Sequence, residues 1–406
     1  MVKWLRENLF SGWFNTILTL VGLYIIWSLA AAGLPWLLNS VWNASSLGEC
    51  REIAGPAGGA CWAVIKERWH QYLFGFYPQD AYWRPTLAFV LLFVALAPVL
   101  FTQVPKKVLW FTLLYPAICF FLLWGGSIWG PIVAMLGFVV LGLAYRLLQP
   151  LVGVTVGASL SVVAAILWWL FLDVPVASAL SSAMPIGVEA VDSDQFGGFL
   201  LAIVIGVTAI GFSLPLGILL ALGRQSDMFI VKTICVGFIE FIRGVPLITL
   251  LFTASLLLQY FLPPGTNFDI ILRVIILVTL FAAAYLAEVI RGGLAALPRG
   301  QYEAADALGL DYWRAQRLII LPQALKISIP AIVSTFIGLF KDTTLVSFVG
   351  LLDPLRGVTA AVRADINWKG IYWEPYIFVG AIFFVICFGM SRYSMYLERK
   401  LKTDHR

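Results

Sequence analysis

Charge is scarce in this sequence. Of its 406 residues 12% are Asp, Glu, Lys or Arg and 61% are hydrophobic, whereas soluble domains carry roughly a quarter charged. The soluble class is therefore excluded before any motif is considered. Histidine is nearly absent: His70 and His405 are the two in the chain. No His–Glu metal spacing, no glycine-rich phosphate loop between strand and helix, and no GxSxG elbow occurs. The chain by itself therefore has no residues set out to hydrolyse ATP, and no cofactor or metal is expected on it. No basic patch with interleaved aromatics argues for nucleic acid.

What the sequence has in abundance is apolar runs of about 20 residues, the length that crosses a bilayer. Ten spans are predicted, at roughly 13–36, 86–104, 108–125, 131–148, 152–172, 197–222, 230–262, 271–293, 325–350 and 376–397. The fold class is thus all-α, polytopic and membrane-embedded. The first run is too long for a signal peptide and lacks a small-residue cleavage site, so it reads as a retained span. The seventh is too long for one straight crossing; a surface-lying helix before FIRGVPLIT and a crossing after it are expected.

Lys and Arg near span ends set orientation. Lys3 and Arg6, Lys106 and Lys107, Arg146, Arg224, and the tail from Arg392 to Arg406 all fall on one side of a ten-span alternation. That side is inside, so both termini are predicted to be cytoplasmic. The loop at 37–85 is then outside, where disulfides are permitted. It holds Cys50 and Cys61, for which a disulfide is predicted; two unpaired, packed cysteines are the alternative. The chain divides into residues 1–195, a membrane region of about five spans carrying the insert, residues 196–398, which hold most of the charges in need of explanation, and a basic tail at 399–406.

Burying an ionised group costs several kcal/mol unless it is paired or wet. Glu240 and Arg243 lie three apart, on one helical face, as do Glu288 and Arg291. Each pair either anchors a bend at the inner interface or lines a path. Lys341 and Asp342 stand mid-run in STFIGLFKDTTLVSFVG, with Thr343, Thr344 and Ser347 after them. Adjacent residues do not face each other on a helix, so these two serve different partners or mark a break. Arg243, Glu288, Asp342 and Thr343 are the groups available to a translocation path; a structural polar knot is the competing reading.

Residues 301–325, QYEAADALGLDYWRAQRLIILPQAL, carry five charges and fall inside. Tyr302, Ala305, Leu308, Leu310, Trp313 and Leu318 form an apolar side; Glu303, Asp306, Asp311, Arg314 and Arg317 a polar one. Gly309 permits a turn, Asp311 can cap the helical piece after it, and Pro322 is expected to break the helix before the next span. The polar side is mixed in sign rather than Lys/Arg-rich, which favours a protein groove over a lipid surface.

The spacing EAA, three residues, Gly, nine residues, Ile, one residue, Leu-Pro is met by Glu303-Ala304-Ala305, Gly309, Ile319 and Leu321-Pro322. It resembles the EAA loop of ABC importer permeases. FIRGVPLITLLF, EVIRGGLAALPRGQYEAA and LFKDTTLVSFVGLLDPL resemble the polar amino acid permeases of the histidine and glutamate/glutamine type, over about 196–398. The first half looks like the longer permeases of general L-amino acid importers. The resemblance implies a five-span type I permease core and a coupling helix seated in a separate ATPase, with Glu303, Ala304, Ala305 and Gly309 at the contact. It also implies two ATPase subunits that hold ATP and Mg2+, a second homologous permease, a periplasmic amino-acid-binding protein and an L-amino acid cargo, in a bacterial inner membrane. An ion-coupled secondary transporter and a non-transporting membrane scaffold are the competing classes.

Overall fold

A computed structural model describes residues 2–261 and 269–402. Among them the chain is almost wholly helical: α1 Val2–Asn8, α2 Trp13–Leu38, α3 Leu47–Ala54, α4 Ala63–Phe74, α5 Trp83–Leu100, α6 Leu109–Trp124, α7 Trp129–Val152, α8 Val154–Leu167, α9 Asp173–Ala183, α10 Gly198–Gln225, α11 Phe229–Gly244, α12 Leu247–Phe261, α13 Ile270–Ala295, α14 Arg299–Ala307, α15 Tyr312–Ala315, α16 Leu321–Asp342, α17 Pro354–Ala364 and α18 Trp373–Lys402. Among the described residues nine helical stretches are long and apolar enough to cross a membrane, and ten if the bent pair α11–α12 counts as one. That pair turns by 101° at Val245-Pro246, as the excess length of the seventh run predicted. The final residue of that run, 262, and residues 403–406 of the tail lie outside the described residues.

Two spans run more than ten residues past their sequence limits. The fifth continues as α8, a π-turn at Trp168–Leu172 and α9, ending at Ala183; Pro175 falls in the first turn of α9, where its missing N–H is harmless. The ninth extends from Tyr312 to Val349, so Pro322 does not break it. A π-turn at Gln316–Ile320 precedes the proline, and its wider spacing hands the Gln316 carbonyl to the Leu321 N–H. The ring of Pro322 is thus accommodated where a regular α-turn would clash.

Contacts divide the chain into two compact units. One comprises residues 74–201 and 253–275. Its helices α5, α6, α7 and α8–α9 are held by side chains that donate to main-chain carbonyls. Tyr115 Oη donates to Ala88 O at 2.8 Å and Thr112 Oγ1 to Ala95 O at 2.6 Å. The buried Arg84 donates from Nε to Leu122 O at 2.6 Å and from Nη1 to Glu189 O at 2.8 Å, and Tyr77 Oη reaches Leu123 O at 2.8 Å. The bonds to Leu122 O and Leu123 O satisfy carbonyls that the C-terminus of α6 leaves open. Beside them β1 (Gly126–Ser127) pairs antiparallel with β2 (Gly187–Val188).

The other unit comprises residues 1–73, 202–252 and 276–406. No residue of α2 is buried. The insert begins with α3, whose N-cap Ser46 accepts from Glu49 N while the Glu49 carboxylate reaches back to Ser45 N and Oγ, a reciprocal cap. Cys50 and Cys61 are disulfide-bonded and both are buried. The insert grips the segment that leads into α18 and the first turn of that helix. Arg68 pairs with Asp365, Glu67 Oε2 accepts from Trp368 Nε1 at 2.9 Å, and Glu374 Oε1 accepts from Cys61 N at 2.8 Å.

The core of this unit joins Ala221 and Leu222 of α10, Ile239 of α11, Leu286, Ile290 and Leu294 of α13, and Ile320, Ala324 and Ile332 around α16. Small residues let the helices close: a Cβ at Gly217 would stand 2.8 Å from Leu286 Cβ. Close backbone approach of this kind is how helices associate where lipid offers no hydrophobic drive.

Candidate functional site

α14 starts after Pro298 and ends in a left-handed glycine cap. Gly309 has φ 67°, and Leu310 N bonds Ala305 O at 3.2 Å. This six-to-one bond is the Schellman ending, which needs the glycine because a Cβ is strained at positive φ. Asp311 then opens α15, its side chain accepting from Arg314 N. The expected helix, bend, helix is present, capped by the residues named for it.

The motif residues divide between two faces. Ala305 is 1% exposed, and Ile319 and Leu321 pack, with Tyr302, against the core cluster of α10, α11, α13 and α16. Gln323 ties α14 to α16 by donating to Gln301 Oε1 and Ile319 O, both at 2.9 Å. Glu303, Ala304, Gly309 and Pro322 face outward. So do three residues of the apolar side: Leu308 is 72% exposed, Trp313 66% and Leu318 63%. The turn at Gly309 and the π-turn reset the helical phase, so one continuous amphipathic stripe does not carry through. An exposed apolar patch that includes a Trp and lies beside mixed charges has the makings of a protein contact rather than a solvent face.

Next to this loop along α13, charges from three helices converge. Arg224 Nη1 lies 2.7 Å from Glu240 Oε1 and 3.4 Å from Glu288 Oε2; Arg243 Nη1 lies 3.9 Å from Glu288 Oε2; Arg291 Nη2 lies 2.5 Å from Glu288 Oε1. The Arg243 guanidinium also sits over the Tyr285 ring at 5.7 Å, a cation–π contact. Glu240 and Arg243 therefore do not form the local pair their spacing offered: Glu240 is taken by α10, and Arg243 turns to α13. In the sequence Arg224 marks only a span end, because its partners are 16 and 64 residues away and no local spacing announces them.

Arg243 and Glu288 are thus brought together, while Asp342 and Thr343 stand elsewhere. Asp342 ends α16, and a 3-10 turn, Thr343–Val349, comes next, so the adjacent Lys341 and Asp342 mark a break. The hydroxyls there are spent locally: Thr343 Oγ1 donates to Phe340 O at 2.7 Å and Thr344 Oγ1 to Lys341 O at 2.9 Å. A second charge unremarked in the sequence is Arg273, buried in α13, whose Nη1 donates to Ser255 O at 2.8 Å.

An apolar multi-pass bundle, an exposed mixed-charge loop between two spans and the spacing from Glu303 to Pro322 together define a class of membrane transport subunit. Residues 213–403 match the family described as binding-protein-dependent transport system inner membrane component. The chain is 70% identical over 410 residues to the glutamate/glutamine/aspartate/asparagine transport system permease protein BztC of Rhodobacter capsulatus, covering 100% of this chain and 94% of that protein. It is 40% identical over 401 residues to the inner membrane amino-acid ABC transporter permease protein YhdY of Escherichia coli K12, covering 98% and 93%. A solved amino acid ABC transporter with histidines aligns at 31% identity over 50% of this chain and 91% of that one, with a TM-score of 0.43. The chain belongs to the permease subunits of amino-acid ABC transporters. An ion-coupled carrier and an inert scaffold give way to that membership.

Proposed function

We propose that the chain is the permease through which polar amino acids cross a bacterial inner membrane, driven by ATP hydrolysis on two separate ATPase subunits that hold ATP and Mg2+. A second, homologous permease completes the passage, and a periplasmic amino-acid-binding protein delivers the cargo. Residues 196–398 form the permease domain, residues 1–195 the added membrane region and its outer insert, and both termini lie in the cytoplasm. The names of the relatives point to acidic amino acids and their amides as cargo.

The observation that carries this reading is the outward face of the 299–322 loop. Glu303, Ala304 and Gly309 lie exposed beside Leu308 and Trp313, while Ala305, Ile319 and Leu321 root the same loop in the helix core. Its outer face is the ATPase contact and its inner face is the lever. Movement of α14 is carried to α13 and α16, and from α13 to the arginine–glutamate cluster. Arg243 and Glu288 border the inner mouth of the path. Asp342 and Thr343 shape it by ending α16, where the helix gives way to the 3-10 turn. Alternating access then amounts to exchanging partners within the cluster as the spans tilt.

The test is a transporter purified with its partners and reconstituted with binding protein and cargo. Glu303→Arg and Gly309→Val are expected to leave membrane insertion intact. They should strip the ATPase from the complex or abolish the acceleration of hydrolysis by loaded binding protein. Full coupled hydrolysis in both variants would overturn the coupling assignment.

A further inference from the structure

In the unit that comprises residues 74–201 and 253–275, one cavity lies apart from the loop and cluster. It measures about 440 Å³, and its walls include Phe120, Pro131, Ala134, Phe138, Trp169 and Asp173. That volume is within the range of small-molecule sites, about 300–1,000 Å³. It sits where the span α8–α9 passes through its π-turn, a deviation frequent at functional positions. The turn is held open by two indoles: Trp168 Nε1 donates to Val133 O at 3.0 Å and Trp169 Nε1 to Ala134 O at 2.9 Å.

Asp173 does not fit a merely structural void. Its Oδ1 is buried and has no hydrogen-bond partner, and every other wall residue named above is apolar. A carboxylate oxygen left unpaired in such surroundings costs free energy, and an N–H or O–H donor brought by a bound molecule would offset that cost. The surface around it is apolar: Phe120 and Phe138 of the walls and Leu170 and Phe171 of the π-turn are exposed. A donor carried on a membrane lipid suits both features.

Depth singles out the headgroup region. Pro131 is in the first turn of α7, and the neighbouring Trp129 donates from Nε1 to Met184 O at 2.8 Å, just past the end of α9. Trp124, at the end of α6, and Trp129, at the start of α7, stand where membrane interfaces place their aromatic belts. The cavity is at the end of α6 and α7 opposite Lys106, Lys107 and Arg146. In the orientation proposed above, that end belongs to the outer leaflet.

We propose that this cavity binds a phospholipid with an ammonium headgroup that retains an N–H, the headgroup donating to Asp173 and an acyl chain filling the apolar walls. A choline headgroup has no N–H to give, and an anionic headgroup meets a like charge.

The test uses the intact transporter in mild detergent and counts retained lipids by native mass spectrometry. The probes are phosphatidylethanolamine, its N-methyl and N,N-dimethyl derivatives, and phosphatidylcholine, all with identical acyl chains. Retention is expected to be about tenfold higher for the first three than for phosphatidylcholine, since a hydrogen bond to a charged group is at stake. Asp173→Asn should bring all four to one level, and Ala134→Leu should lower all four together. Equal retention of ethanolamine and choline lipids by the unaltered protein would overturn the proposal. So would discrimination that survives Asp173→Asn. If Asp173→Asn instead releases the second permease while leaving lipid counts unchanged, the acid belongs to a subunit contact and the lipid site is refuted.

Discussion

The unit that carries the loop holds two sets of polar contacts built on different plans. Where the insert meets the segment leading into α18, ion pairs are braced by buried groups: Arg68 pairs with Asp365 and lies 3.6 Å from Glu67, whose carboxylate accepts from the Trp368 indole, and Glu374 accepts from the Cys61 amide. Trp368 and Glu374 are buried, and a disulfide lies alongside. In the cluster of α10, α11 and α13, three arginines share two glutamates at 2.5 to 3.9 Å, all of them partly open to solvent. Contacts to buried groups such as Glu374 and the Trp368 indole penalise any change of partner, because a lost partner leaves a desolvated group behind. Pairs shared among partly exposed side chains with no such buried partner can be traded at smaller cost. The first plan suits a fixture and the second a part that moves.

Removing the covalent element should have the largest effect. The Cys50–Cys61 bond closes a short loop, with a sequence separation of 11, and the loop-entropy relation gives about 3 kcal/mol for loops near that length. Cys50→Ser with Cys61→Ser should therefore sharply lower the temperature at which the purified transporter loses its fold, while uptake at low temperature persists. Equal loss of uptake at every temperature would mean that the insert also moves during transport.

A smaller effect of a different kind is expected in the cluster. Glu288→Gln removes the charge that three arginines share, and initial uptake rates should fall about tenfold, worth about 1.4 kcal/mol, with thermal stability nearly unchanged. Destabilisation without loss of rate would put the cluster on the fixed side of the comparison. The smallest effect belongs to Asp365→Asn, which breaks one partly buried pair but leaves the disulfide and both neighbouring hydrogen bonds. A loss of about 1 kcal/mol in stability and no change in uptake is expected; a transport defect there would blur the distinction between the two plans.

Much of this architecture was legible because the bilayer imposes it. A 20-residue apolar run has few alternatives to a spanning helix, and the surplus length of the seventh run announced the bend before Leu247. The loop was legible because caps are local: Gly309 and Asp311 act on backbone groups within a few residues of themselves. The family emerged from the long spacing that begins at Glu303. What stayed hidden was any contact closed over distance. Arg224 looked like an interfacial marker until α13 brought Glu288 to it, and Arg68 gave no sign of Asp365, some 300 positions on. Pro322 misled for a related reason: a proline forbids a regular α-turn, but the sequence does not say whether the chain will break or widen.

That widening has a consequence of its own. A π-turn takes up one residue more than an α-turn for the same advance along the axis, and one residue is about 100° of rotation. Between Gly309 and Leu321 the chain length therefore acts as a phase setting, fixing which way Trp313 and Leu308 point relative to the span beyond Leu321. Many substitutions within this interval would leave the setting intact. Deleting a single residue at 316–320 would remove the widened turn, press the Pro322 ring against the turn before it, and swing the outward face about a quarter-turn away from whatever it meets. Through this interval, the chain should tolerate exchange of letters far better than a change in their number.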